Sequence, residues 1–307
     1  MIFNQPVTAL IRQRTSRRTY QDRPLEAEIR QRLLDFIAAL PPGPFGSSSR
    51  LELVSATAQE RGALRGLGTY GFIRGAPAFL IGAVPLARLP SGGLREDAKN
   101  ARLEGGGVLE DFGWQMEALI LFATGLDLGT CWLGGSFTRS SFSQKISLRE
   151  DEMIPAVCAL GYPAGQPSGM EVVVRRGAQA RSRLEWQSLF FAGSFGTPLS
   201  RELAGSYAEC LEMVCLAPSA SNKQPWRVVW DGEGWHFYRQ RTPGYRENLL
   251  VRLLGVADMQ RLDLGIAMCH FELAARQVGL EGSWQTRQPP IAKLDSLTEY
   301  VASWIEG

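Results

Sequence analysis

Four stretches hold the residues whose types and spacing could do chemistry. Arg14, Ser16 and Arg18 alternate, so an extended backbone presents all of them on one side. Two guanidinium forks beside a hydroxyl fit a phosphate, or a phosphate together with the polar edge of a ring. The same triplet also reads as a solvated basic strand. Arg181 and Arg183 alternate again and could add charge for a terminal phosphate, or belong to a charged linker. Trp132-Leu133-Gly134-Gly135 offers backbone N–H groups with no Cβ in the way at the glycines. That suits close contact with a planar cofactor, or a plain turn at a helix end. The fourth stretch runs from Leu216 to Trp226, with Pro218 and Pro225 fixing φ near its two ends. Pro218, Ser219, Ala220, Ser221, Asn222 and Gln224 make it small, hydroxylated and amide-rich. Such a loop can hydrogen-bond a flat heteroaromatic edge, or serve as an ordinary Pro/Ser/Asn turn.

Other chemistries have little support. The five cysteines, Cys131, Cys158, Cys210, Cys215 and Cys269, are scattered without a C-x-x-C pair, and the only histidines are His236 and His270. Neither a disulfide framework nor a zinc site follows, and buried free thiols in a reducing cytoplasm are expected. His270 lies in an apolar helical pattern with no acid beside it, which suggests a core histidine with a local hydrogen bond. There is no Ser–His–Asp arrangement, no paired carboxylates, no Walker loop and no G-x-G-x-x-G. A net charge of +2 on 307 residues gives no field for nucleic acid or an anionic membrane. Met1 to Tyr20 has no long apolar run before its arginines, so no signal peptide is expected.

The elements that must position these residues follow from periodicity. Leu25, Ile29, Leu33, Phe36, Ile37 and Leu40 recur at helical spacing, with Pro24 suited to the first turn. The helix stops at Pro41-Pro42-Gly43-Pro44. Leu51 to Ala56 alternates like a strand, 59–67 suggests a helix, and 77–84 reads as a buried strand. A mobile Gly/Pro loop is expected at 85–108 and a helix at Leu109–Thr124, apolar on nearly every face and capped by Gly125. A helix this short that carries Asp111 and Glu117 belongs in a core, not a membrane. A strand at 156–163 and an edge strand at 171–174 close the first half. The second half repeats this order: a helix at 207–216, the Pro-Ser loop, and strands at 227–230 and 235–238 joined by Asp231-Gly232-Glu233-Gly234. Then comes another all-apolar helix at 262–277. Gly125-Leu126 and Gly279-Leu280, each followed closely by a tryptophan, suggest an internal duplication.

These residues resemble the nitroreductase family of flavoproteins. The matching pieces are Arg14-x-Ser16-x-Arg18, Ala217-Pro218-Ser219-x-x-Asn222-x-Gln224-Pro225-Trp226, and Gly125-Leu126-x-x-Gly129-Thr130-Cys131-Trp132-Leu133-Gly134-Gly135. Leu160-Gly161-Tyr162-Pro163 and Arg181-Ser182-Arg183 match as well. The order departs from an ordinary member, where the Pro-Ser loop follows the first helix; here it falls in the second half. That order is similar to a branch with two fused halves, labelled "putative TM nitroreductase", in which the label does not mean transmembrane.

The resemblance implies an α+β fold of mostly antiparallel sheets flanked by helices, with halves 1–184 and 185–307 forming an intramolecular pseudo-dimer. It implies FMN between the halves, NAD(P)H as transient hydride donor, and ping-pong transfer to a nitroaromatic, quinone or similar small acceptor. An FMN-binding protein without turnover is the alternative. Arg14, Ser16, Arg18, Arg181 and Arg183 would hold the phosphate or ring edge. Trp132, Leu133, Gly134 and Gly135 would meet the ring, with Pro218, Ser219, Ala220, Ser221, Asn222 and Gln224 walling it from the other half. No side chain is assigned acid–base catalysis and no metal is expected. Because Pro42 to Gly46 and Phe195 to Pro198 stand where the reciprocal motifs would be, one FMN per chain is expected. A monomeric, cytoplasmic protein without nucleic-acid or membrane partners completes the expectation.

Overall fold

The computed structural model describes residues 3–56, 64, 67–86, 107–165, 182–244, 257–292 and 294–307. The expected helix at 59–67, loop at 85–108, edge strand at 171–174 and Arg181 lie wholly or largely outside them. The chain begins with α1 (Val7–Gln13), α2 (Ala27–Ala38), β1 (Arg50–Ser55), β2 (Ala78–Pro85) and α3 (Val108–Thr124). It continues through β3 (Gly129–Leu133), α4 (Arg139–Lys145), β4 (Glu152–Met153) and β5 (Val157–Gly161). Then come α5 (Trp186–Leu189), β6 (Phe190–Ala192), α6 (Arg201–Ala204), α7 (Ala208–Leu216), β7 (Trp226–Trp230) and β8 (Gly234–Gln240). Last are α8 (Met259–Gln277), β9 (Gly282–Gln285) and β10 (Thr298–Glu306).

The strands form two sheets, one ordered β1-β2-β5-β3 with β4 against β2, the other β6-β7-β8-β10-β9. Every pairing between these strands is antiparallel except β6 with β7. This is an α+β architecture. In β5, Cys158 and Leu160 face the main core while Val157 and Ala159 face a second apolar cluster with Phe79, Phe137 and Phe142. Both faces are covered, so β2 and β5 read as unbroken apolar runs where a half-exposed strand would alternate.

Between the sheets lie α3 and α8, buried from Leu109 to Thr124 and from Met259 to Ala275. Their apolar character on every face follows from that position. They cross at two glycines. A Cβ on Gly113 would stand 3.1 Å from the carbonyl carbon of Leu262, and one on Gly265 only 2.7 Å from that of Glu110. The carbonyl oxygens are nearer still. Each glycine thus meets the carbonyl three residues before the other glycine, a reciprocity that a twofold axis between the helices would produce. Beside the crossing, Arg261 donates to both oxygens of Glu110 at 2.7 and 2.9 Å, and the Trp114 indole donates to Glu272 at 2.9 Å.

Three local expectations are refined or corrected. Gly125 is the C-cap of α3 as expected, but with φ −67° it is right-handed rather than left-handed. It is small because Asn4 lies against it and donates from Nδ2 to its carbonyl at 2.6 Å. Asp127, at φ 58°, makes the left-handed turn instead. Pro24 precedes α2 and is outside its first turn, because Glu26 is extended and its N–H donates to the Tyr162 hydroxyl. Finally, β9 and β10 complete the second sheet where no strand is expected from the sequence pattern. Among the described residues no helix is long and apolar enough to cross a membrane.

Candidate functional site

Helix α1 sets the place of Arg14. Besides the Asn4 contact with the end of α3, the Thr8 N–H donates to Gln277 Oε1 at the end of α8 at 3.0 Å. With both central helices holding it, α1 stops at Gln13, and Arg14 turns extended (φ −59°, ψ 122°). The segment then runs along β3. Ser16 bridges Thr130 in parallel, and the Arg17 N–H donates to the Thr130 carbonyl at 2.8 Å. A Cβ on Gly129 would lie 3.0 Å from the Arg17 side chain, so a larger residue would crowd this approach. Arg14 is 8% exposed, with Nε 3.6 Å from Glu117 Oε1, and among the described residues neither Nε nor Nη1 has a hydrogen-bond partner. Ser16 and Arg18 are half-buried.

The Pro-Ser loop is held in an unusual backbone conformation. Ser221, Asn222 and Gln224 all have positive φ, at 50°, 54° and 49°, which costs free energy unless neighbours impose it. Asp263 on α8 anchors the start of the loop, both of its oxygens accepting from the Ala220 N–H at 3.0 and 3.1 Å. Burial pushes the Asp263 carboxyl well above the usual range, against the opposing effect of the Ala220 N–H. Ser219 Oγ accepts from the Gln224 N–H at 2.9 Å.

The amides of this loop fasten the segment entering the second half. Gln224 Oε1 accepts from the Leu184 N–H at 2.9 Å, Asn222 Nδ2 donates to the Ser182 carbonyl at 3.0 Å, and Arg183 Nη1 donates to Asn222 Oδ1 at 3.3 Å. Asn222 and Gln224 therefore position Arg183 and are not both open to a ligand. Pro218 is half-buried, and Ser221 stays exposed.

The two regions meet at the arginines. The Arg183 guanidinium is pushed below its ordinary value by burial and next by the charge of Arg14. On the other side, Gly134 is covered: a Cβ there would lie 2.5 Å from Met259 Cε at the start of α8. Gly135 has nothing within 4 Å of the same position, so only this glycine is freely open to close approach. Leu133 is buried, and the partly buried Trp132 donates from its indole N–H to Glu117 Oε2 at 2.7 Å.

His270 is fully buried, as a core histidine would be, but it does face an acid. Its Nε2 is 3.1 Å from Glu117 Oε1, and its Nδ1 is 2.9 Å from the Met213 carbonyl. The acid comes from α3, far away in sequence, so no local scan would find it. Glu117, Asp263 and Met259 are the site residues that sequence reasoning missed. For Glu117 and Asp263 the available signal was a carboxylate inside a mostly apolar, buried helix.

The reciprocal position is built differently. Asp111 on α3 accepts from the N–H groups of Phe45 and Ser47, both at 2.7 Å, much as Asp263 accepts from Ala220. Burial raises the Asp111 carboxyl to about 6. Pro44, Phe45 and Gly46 there border an open cleft whose other wall is Trp284 to Arg287. Phe45 lies against Gly107, and a Cβ on Gly43 would strike Asp111.

The family model described as "Putative TM nitroreductase" matches residues 102–275, more than half of the chain. A structure described as a putative nitroreductase from Thermotoga maritima MSB8 is similar, with 19% identity and a TM-score of 0.57 over 99% of this chain and 95% of that one. It supports the fold. A putative nitroreductase in complex with FMN from Desulfovibrio desulfuricans is 23% identical over 54% of this chain and 91% of that one, with a TM-score of 0.36. An FMN-dependent nitroreductase from Clostridium difficile R20291 is 18% identical over 52% and 88%, with a TM-score of 0.36. No curated protein matches the chain. By the extent of the family match, the chain belongs to the nitroreductase family described as "Putative TM nitroreductase".

Proposed function

We propose that the chain is an FMN-dependent NAD(P)H oxidoreductase that passes electrons by a ping-pong route to a nitroaromatic, quinone or similar small acceptor. One FMN binds per chain, between halves 1–184 and 185–307 of an intramolecular pseudo-dimer. The observation that carries this reading is Arg14. It is a nearly buried guanidinium whose Nε and Nη1 lack hydrogen-bond partners among the described residues, close enough to Arg183 to depress it. Two cations brought together this way favour an anion between them, and a phosphate or the electron-rich edge of a flavin supplies one.

The residues divide the work. Arg14, Arg18, Arg181 and Arg183 hold the phosphate or ring edge. Ser16 lies on the same extended segment. Gly135 admits close approach, Trp132, Leu133 and Gly134 support that edge of the site, and Pro218 to Gln224 form the opposite wall, with the Ser221 hydroxyl facing out. Bound FMN supplies the redox chemistry, accepting a hydride from the nicotinamide and delivering electrons to the acceptor. No side chain is assigned acid–base catalysis. The reciprocal cleft lacks the arginine triplet, having Phe195-Gly196-Thr197-Pro198 at the corresponding chain position, and Phe45 occupies the loop. This supports a single flavin.

The test is the absorbance spectrum of the purified protein, with flavin counted after denaturation and then titrated anaerobically with NADH and NADPH. One FMN per chain, bleached by a nicotinamide, is expected, and Arg14→Ala with Arg18→Ala should sharply reduce occupancy. Two FMN per chain would overturn the single-site reading. A flavin that neither nicotinamide bleaches would indicate binding without turnover.

A further inference from the structure

One buried carboxylate joins the two sides of this site, and the flavin chemistry assigns it no task. Glu117 is fully buried at the middle of α3. Its Oε2 accepts from the Trp132 indole at 2.7 Å; its Oε1 faces His270 Nε2 at 3.1 Å and Arg14 Nε at 3.6 Å. A charge with no access to water persists only when such partners surround it. The partners come from four places: the segment after α1, β3, α8 and, through His270 Nδ1, the Met213 carbonyl on α7. A carbonyl can only accept, so His270 Nδ1 carries a proton. The contact between Nε2 and Oε1 then needs one more proton, shared between imidazole and carboxyl. The carboxyl is thereby fixed in orientation as well as in place.

We propose that Glu117 is a positioning residue, which holds the Arg14 guanidinium at Nε from the core side so that its Nη1 is set for the flavin. This rests on the flavin reading of the site. Among the described residues Glu117 is the ion-pair partner of the Arg14 guanidinium, whereas Arg183 is held by Asn222 on the loop side. Glu117 and Asn222 would thus serve matching purposes for the two arginines. Because His270 and Met213 belong to the second half, the grip on Arg14 also depends on how that half packs against α3.

The experiment is a double-mutant cycle read as the FMN dissociation constant, from quenching of flavin fluorescence on titration into flavin-depleted protein. The set is wild type, Glu117→Gln, Arg14→Gln and the double variant. Glu117→Gln should weaken FMN about tenfold, and should have little further effect once Arg14 is Gln. Equal effects in both backgrounds would mean that Glu117 acts on the fold generally and would overturn the proposal, leaving the flavin reading intact. Unchanged affinity in Glu117→Gln would overturn it as well. If wild type binds no FMN, or Arg14→Gln binds it as tightly as wild type does, the flavin reading of Arg14 itself fails. Should Glu117→Gln not fold, His270→Gln, which loosens the same carboxylate from the other side, replaces it in the cycle with the same expected non-additivity.

Discussion

Gly265→Ala tests the crossing of α3 and α8, the helices that carry Glu117 and Asp263. In an ordinary helix the change would be favourable by about 1 kcal/mol, since alanine is the better helix former. Here the new methyl would lie 2.7 Å from the carbonyl carbon of Glu110 and 2.9 Å from its Cα, where ordinary contact begins near 3.4 Å. The obstacle is backbone in a fully buried helix, so no side chain can swing away. The Glu110 carbonyl oxygen is nearer still, so the helices must separate by more than about 1 Å there, loosening contacts on both sides of the crossing. Overpacking of this kind costs about 3 kcal/mol or more, for a net loss of at least about 2 kcal/mol after the helix gain. For a chain of this size that corresponds to a Tm lower by at least about 3 °C, read by circular dichroism or calorimetry on flavin-depleted protein. Gly113→Ala should behave alike, because it meets Leu262 in the reciprocal manner. Gly135→Ala, with open space at the same position, should leave Tm within about 1 °C. A Gly265→Ala protein as stable as wild type, or more so, would refute the backbone-to-backbone crossing.

Two further perturbations address the loops. Burial raises Asp111 from 3.8 to about 6, so between those values the folded chain holds a proton that the unfolded chain has lost. Its contribution to stability is therefore complete below about pH 4 and falls as pH rises to about 6, by about 3 kcal/mol at most. Urea unfolding across this range should show wild type declining relative to Asp111→Asn; parallel profiles would refute the shift. Ser221→Gly should relieve the positive φ of 50°, leaving stability unchanged or higher by about 1 kcal/mol, while FMN affinity falls with the lost hydroxyl. Lower stability would show that the serine side chain, rather than its neighbours, maintains the loop.

What could be read in the sequence was what is local. The central helices were legible because burial on all sides leaves an apolar run, and β2, β5, β7 and β8 because they are short apolar stretches bounded by turns. The Arg14 segment and the Pro-Ser loop were legible as groups of polar residues, since the donors and rigid prolines lie close in sequence. The strand β9 was not, because its residues alternate between half-buried and exposed and include only one large apolar side chain, Trp284. The partners of His270 and Ala220 were not legible either: each pairs with a carboxylate whose position is set by the meeting of α3 and α8.

That meeting also bears on how the two loops above it can differ. Asp111-x-Gly113 and Asp263-x-Gly265 repeat the same pattern, with the glycine at the crossing and the aspartate bonded to a loop. The crossing can change little, because any side chain larger than hydrogen forces the backbones apart. The loops above it are under no such restriction. In one, Phe45 lies against Gly107; in the other, Asn222 and Gln224 hold the segment that carries Arg183. A framework fixed by two glycines can thus keep its near-symmetry while the two loops above it are built differently.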